Sequence, residues 1–232
     1  MDRIISEKEY IHDRLGEEFA RALSMYDTRR RVEVLIDEFL PDEALTSKRV
    51  LDVGTGLGFF AERLQQRGAA VTAVDIGQNL LKVVRERVGC ECVCVDGLKL
   101  TDHFGFNRFD LAVSSECIEH TPDPAAVLRQ MVNVVKPGGL ISVSTPNILW
   151  SPVVKAATAL RLRPFDGLEE FSTFSSIRSA LEKSGAVVLR EKGLHLFPFQ
   201  FRLYRLSRWC DEHLQRLRPL MINLCVLARK HA

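Results

Sequence analysis

Glu116, Glu119 and His120 stand at E-x-x-E-H spacing. On one turn of α-helix, positions i, i+3 and i+4 share a face, so two carboxylates and an imidazole would converge there. Such a trio has two chemistries open to it. It could bind a divalent cation, with Mg²⁺ suited to oxygen-rich ligands and water or substrate oxygens completing the shell. Alternatively His120 acts as a general base without metal, with Glu119 orienting its ring. The presence of both acids favours the cation. A polar helix start with no chemical role is the third reading.

A second constellation lies upstream, in Val-Leu-Asp-Val-Gly-Thr-Gly-Leu-Gly over 50–58. Val50, Leu51 and Val53 read as a buried strand, and Gly54, Gly56 and Gly58 as a turn whose bare main chain lets a ligand lie against it. A second apolar run, Val71 to Val74, ends in Asp75, where a carboxylate offers two acceptor oxygens for the hydroxyls of a ribose. A glycine-rich turn without a ligand is the plainer alternative. Dinucleotide folds usually carry G-x-G-x-x-G, but here Phe59 occupies the place of the third glycine. Asp52 beneath the turn would repel a pyrophosphate and welcome a cationic or zwitterionic group.

The elements that must position these residues alternate strand and helix. Phe59–Arg67 and Asn79–Val88 read as helices ended by Gly68 and Gly89, and Cys90–Val95 as a third strand closing in Asp96-Gly97. Phe109–Ser114 is a fourth strand. Asp123 and Pro124 are a cap and first-turn proline opening a helix to Val135. Lys136-Pro137-Gly138-Gly139 reads as a turn into a fifth strand, Leu140–Ser144, followed by strands at Ala186–Leu189 and Ile222–Ala228. Such alternation predicts a doubly wound α/β sheet. The N-terminal region 5–40 reads as helical, with Leu40 to Glu43 as a linker. Its Arg29-Arg30-Arg31 run reads as a solvated helix start for at least two of the three cations.

Leu51 to Gly58, Val74-Asp75, Asp96-Gly97 and Lys136 to Gly139, in this order, resemble the class I S-adenosylmethionine-dependent methyltransferases, closely over residues 45 to 146 and more loosely beyond. The resemblance implies a Rossmann-like seven-stranded sheet of order 3-2-1-4-5-7-6 with the last strand antiparallel. It implies a helical N-terminal extension over 1–44 and a methyltransferase domain over 45–232. It also implies S-adenosylmethionine bound by Asp52, Gly54, Thr55, Gly56 and Gly58 along the methionine part. Asp75 and Ile76 would sit at the ribose, Asp96 and Gly97 at the adenine, and Ser115 at the tip of strand four. Asp96-Gly97 is equally a plain turn. The chain resembles the ubiquinone-pathway O-methyltransferases in particular. That implies Arg31 on the cofactor carboxylate, through paired guanidinium donors, and Glu116, Glu119 and His120 as metal ligands. The expected activity is O-methylation of a small phenolic, sugar or lipid-linked hydroxyl. N-methylation, a nicotinamide oxidoreductase and a cofactor-binding protein without turnover are the alternatives.

At 232 residues, with 46% hydrophobic and 27% charged, the composition is that of a globular domain with attached elements. No stretch reaches the roughly 20 apolar residues of a bilayer span, and Met1-Asp2-Arg3 lacks a signal-peptide layout, so a cytoplasmic location is expected. Cys90, Cys92 and Cys94 alternate along one strand face and read as small buried residues rather than a metal cluster. Two segments stand outside the alternation: 147–180, rich in aromatics and prolines, reads as a substrate cap, and 196–219 as a helical insertion. From Leu196 onward seven Lys and Arg face two acids, although the whole chain is only +2. Within it, Phe197 to Trp209 mixes aromatics with Arg202, Arg205 and Arg208. The favoured reading is a helix packed over the sheet edge, and the other is a peripheral contact with an anionic membrane. Nucleic acid is not an expected partner, and oligomeric state is not legible.

Overall fold

The computed structural model describes residues 25–159 and 169–232. Seven strands form one sheet: β1 Arg49–Val53, β2 Ala70–Asp75, β3 Glu91–Cys94, β4 Phe109–Ser115, β5 Val135–Pro146, β6 Ala186–Leu194 and β7 Asn223–Lys230. Their order is β3-β2-β1-β4-β5-β7-β6. The first five run parallel, and β7 lies antiparallel to both β5 and β6. The expected fold is the observed one.

Central β1 sets the frame because both of its faces are covered. Leu51 and Val53 join one apolar layer with Leu128, Met131 and Ile177, while Val50 joins the other with Leu35, Leu64 and Val113. Side chains of alternate parity thus enter opposite layers, as the strand period requires. Each such fully buried aliphatic contributes about 1.5–3 kcal/mol. The described helices are α1 Met25–Val32, α2 Phe59–Gln66, α3 Gln78–Val88, α4 Leu100–Phe104, α5 Pro124–Val134, α6 Ser151–Ala159, α7 Phe174–Lys183 and α8 Tyr204–His213. Past α1 the chain widens into one π-helical stretch, Glu33–Glu38, whose Val34, Leu35 and Ile36 are fully buried.

Register decides what the sheet brings together. Val53 pairs with Val74 on β2 and with Ser114 on β4, and Ser115 pairs with Ser144 on β5. The carboxyl ends of four strands therefore sit side by side, where ligands bind in open α/β sheets. β2 and β4 leave β1 on opposite sides, so the glycine turn after β1 lies at the switch point.

Several local expectations are corrected. Lys136 to Gly139 is not a turn before the strand but a bulge within it: Phe109 pairs with Val135 and Leu111 already with Leu140, with Asp110 held by Lys136 at 2.7 Å. β6 runs five residues further than expected, to Leu194. The three alternating cysteines belong to an edge strand, where Cys90 and Cys92 are half-buried and Cys94 exposed; alternation fixes a common face, not its burial. In the arginine run only Arg29 is exposed, and Arg30 and Arg31 are buried. The expected helical start over residues 5–24, and residues 160–168 of the expected cap, lie outside the described residues.

Candidate active site

The glycine turn is fixed from both sides by Asp75. Its Oδ2 accepts from the Gly56 amide and its Oδ1 from the Gly77 amide, each at 2.9 Å. Gly54 and Thr55 both donate their amides to the Val74 carbonyl, tying the turn to β2. Gly54, Gly56 and Gly58 have φ of 71°, 53° and 78°, the left-handed region that L side chains avoid. A Cβ on Gly54 would lie 2.1 Å from Cys117 Sγ, so this glycine also lets the tips of β1 and β4 approach. Asp52 is buried beneath the turn and accepts from the Thr55 hydroxyl at 2.7 Å; burial pushes its carboxyl up to about 7. It braces the loop from below. Phe59, in place of a third glycine, carries the Arg87 guanidinium over its ring at 4.6 Å. Asp96 caps the short turn Gly97–Lys99 by accepting from the Leu98 amide at 2.9 Å, so the turn role of Asp-Gly is the one the hydrogen bonds display. Ile76 follows Asp75 directly and is half-buried.

Arg31 enters this edge from α1. Its Nε and Nη2 both donate to Asp27 Oδ2, at 3.1 and 2.9 Å, and its Nη1 donates to Ser115 Oγ at 2.6 Å. Burial alone would lower its pKa, but Asp27 and Glu116 outweigh that and hold the guanidinium firmly charged. For Asp27 burial acts upward, and Arg31 and His195 overcome it to bring the carboxyl down to about 2. Ser144 donates to Glu116 Oε1 at 3.0 Å, which leaves Ser115 to donate to Ser144 across 2.9 Å. A directed chain thus runs from Arg31 through two hydroxyls to Glu116.

The E-x-x-E-H stretch is not one turn of α-helix, and this corrects the expected convergence. Glu116 still belongs to the strand ladder, its amide donating to the Ser144 carbonyl, and it leaves the ladder with φ of +50°. Only Ile118–His120 then coil, as a single 3₁₀ turn. The three side chains diverge in consequence. Glu116 turns to Ser144, buried Glu119 accepts from Thr145 at 3.2 Å, and His120 stands partly exposed with Nε2 3.9 Å from Glu119 Oε1, too far for a hydrogen bond. Among the described residues no three His, Cys, Asp or Glu side chains form a group that could hold a metal ion. The expected ligand set Glu116, Glu119 and His120 does not fit one in this arrangement, where Ser144 and the Arg31 charge serve Glu116 instead. Burial, reinforced for Glu116 by Glu119, pushes both glutamate carboxyls up to about 8. The Cys117 thiol is pushed up by burial as well.

Sequence reading missed Asp27, Ser144, Thr145 and His195. Asp27 sits four residues before Arg31, a helical ion-pair spacing that was open to notice. The other three lie 26 to 168 residues from the partners they hold.

A seven-stranded sheet of order 3-2-1-4-5-7-6, with a bare main-chain turn clamped by the strand-two acid at its switch point, is the class I methyltransferase fold. A family model described as a methyltransferase domain matches residues 25–191, and the chain belongs to that family. The chain is 34% identical over 187 residues to the ubiquinone biosynthesis O-methyltransferase of Stutzerimonas stutzeri, covering 76% of this chain and 78% of that protein. With the protein of the same name from Pseudomonas aeruginosa, strain LESB58, it shares 37% identity over 138 residues, 56% of this chain and 59% of the relative. The chain thus spans about three fifths of that relative's length. A solved S-adenosylmethionine-dependent methyltransferase from Mesorhizobium loti superposes with a TM-score of 0.65 at 22% identity, covering 86% of this chain and 98% of that one. These findings turn the nicotinamide oxidoreductase alternative aside.

Proposed function

We propose that the protein transfers the methyl group of S-adenosylmethionine to a hydroxyl of a small phenolic, sugar or lipid-linked acceptor, with His120 as general base. The observation that carries this is the shared edge on which the Asp75-clamped glycine turn, the Arg31–Ser115 pair and His120 end neighbouring strands. The relatives' printed name supports oxygen as the acceptor atom.

The residues present suit the cofactor. Each Asp75 oxygen has accepted one amide and keeps a lone pair for a ribose hydroxyl. Arg31, gripped by Asp27 through Nε and Nη2, points Nη1 at Ser115 and so brings its positive charge to the tip of β4, where an amino-acid carboxylate would be received. When bound, S-adenosylmethionine supplies a methyl group on a sulfonium, ready for in-line displacement. The protein's part is then to hold the acceptor oxygen in line and to take its proton. His120 suits that second task because its ring is partly exposed and so reachable by an acceptor, whereas Glu119 is sealed against Thr145 and Glu116 is taken up by Ser144. No step in this reading passes through a metal ion.

A lipid-linked acceptor gains support from the segment between β6 and β7. Phe201, Leu203, Leu206 and Trp209 are exposed there among Arg202, Arg205 and Arg208, an amphipathic surface suited to an anionic bilayer. No helix among the described residues is long and apolar enough to cross a membrane. Methyl-labelled S-adenosylmethionine incubated with a panel of catechols, sugars, prenylated phenols and their amino analogues tests the proposal. Label transferred to a hydroxyl supports it; transfer only to amines refutes it.

A further inference from the structure

His195 ends β6 in a left-handed conformation, φ +61°, and is fully buried. Its Nε2 lies 3.0 Å from Asp27 Oδ1, and its Nδ1 lies 3.2 Å from Ser207 Oγ. A carboxylate only accepts, so Nε2 carries a proton and donates it to Asp27, while Nδ1 meets the Ser207 hydroxyl. The other Asp27 oxygen takes both donors of Arg31. Asp27 is thus divided between the two, and the ring of His195 fixes the plane in which the carboxylate grips the guanidinium.

The anchoring continues into the insertion. Asp211 on α8 accepts from the His195 amide at 2.8 Å and from Arg30 Nη2 at 3.5 Å, and Ser207 is on the same helix. Two adjacent arginines of α1 are therefore tied to the segment between β6 and β7, one directly and one through His195 and Asp27. None of these contacts belongs to the sheet ladder, and a helix that served only to cover the sheet edge would have no need to direct Asp211 at Arg30 of α1 and Ser207 at the ring that holds Asp27.

We propose that His195, acting through Asp27, is a positioning residue for Arg31, so that the insertion carrying α8 sets the affinity of the carboxylate-binding arginine for the cofactor. This rests on the reading of Arg31 given above. A positioning partner in a buried ion pair acts by limiting the orientations of the charged group, and hydrogen bonds to charged groups lie among the stronger contacts in proteins. Its loss is expected to weaken binding about tenfold while leaving the methyl-transfer step, which His120 serves, as it was.

The test compares two polar replacements in the full chain. The amide nitrogen of Gln reaches the place of Nε2, whereas Asn reaches only that of Nδ1. S-adenosylhomocysteine binding is measured by calorimetry for wild type, His195→Gln and His195→Asn, each alone and with Arg31→Met, beside kcat at saturating cofactor. The expected results are His195→Gln within about threefold of wild type and His195→Asn about tenfold weaker. Both should have kcat within twofold, and the difference between them should vanish in the Arg31→Met background. Equal Kd for the Gln and Asn variants, or a difference that persists without Arg31, overturns the proposal. Should Arg31→Met alone bind as wild type does, the reading of Arg31 fails and the positioning role falls with it; should Arg31→Met weaken binding while His195→Asn does not, only the positioning role fails.

Discussion

Gly54→Ala is the perturbation whose magnitude the structure lets one work out most fully. The residue sits at φ +71°, and an added Cβ would meet Cys117 Sγ at 2.1 Å and Cys117 Cβ at 2.5 Å. Holding an L-residue in the left-handed region costs roughly 1–2 kcal/mol. Forcing a methyl into an occupied space costs about 1–3 kcal/mol more, because the tips of β1 and β4 must separate. Together the substitution is expected to destabilise the protein by about 2–5 kcal/mol. The two contributions are separable. Cys117→Gly removes both clashing atoms but cannot relieve the backbone strain, so the pair should show a coupling energy of about 1–3 kcal/mol in a double-mutant cycle. Urea unfolding of the four proteins supplies the numbers. Gly54→Ala within about 0.5 kcal/mol of wild type, a change typical of neutral surface sites, or a cycle without coupling, would refute the packing argument for this glycine.

Other expectations follow from the site. His120→Ala should lower kcat by about 10²–10⁴-fold, the usual worth of a general base, while calorimetry finds S-adenosylhomocysteine binding within twofold of wild type. Glu116 and Glu119 have native carboxyls pushed up from 4.5 to about 8, so between those values the folded state holds protons that the unfolded chain has released. Stability tied to them is therefore full below about pH 4.5 and is lost as pH rises through about 8, and thermal melting from pH 6 to about 9 should fall less in Glu119→Gln than in wild type. If the segment around α8 meets an anionic bilayer at about 1 kcal/mol per basic residue, replacing Arg202, Arg205 and Arg208 with alanine should reduce liposome flotation about 100-fold at low salt. Wild type that fails to float ends that reading.

What the sequence disclosed and what it hid divide along a physical line. The glycine turn and Asp75 were legible because their constraint is local: a backbone at positive φ needs glycine wherever the rest of the chain goes. The strand order came from resemblance, since no periodicity in the chain shows β7 inserting antiparallel between β5 and β6. The E-x-x-E-H spacing misled because its convergence presumes an α-helix from Glu116 onward. A pairing with Ser144, on a strand distant in sequence, keeps Glu116 in the sheet instead. Cys90, Cys92 and Cys94 were read as buried for a related reason: an edge position is a property of the assembled sheet. A window around the arginine run shows the Asp27–Arg31 spacing but not the burial, because Arg30 is held by the distant Asp211 and Asp27 by the distant His195.

The measurement that bears most directly on the account is isothermal calorimetry of S-adenosylhomocysteine with wild type and Asp75→Ala. Asp75 clamps the Gly56 and Gly77 amides and, in the proposed reading, offers its remaining acceptors to the ribose, so wild type should bind and the variant should lose at least about tenfold in affinity, the worth of one charge-assisted hydrogen bond. Wild type giving no heat of binding, or Asp75→Ala binding as tightly as wild type, would contradict the placing of the cofactor at this turn.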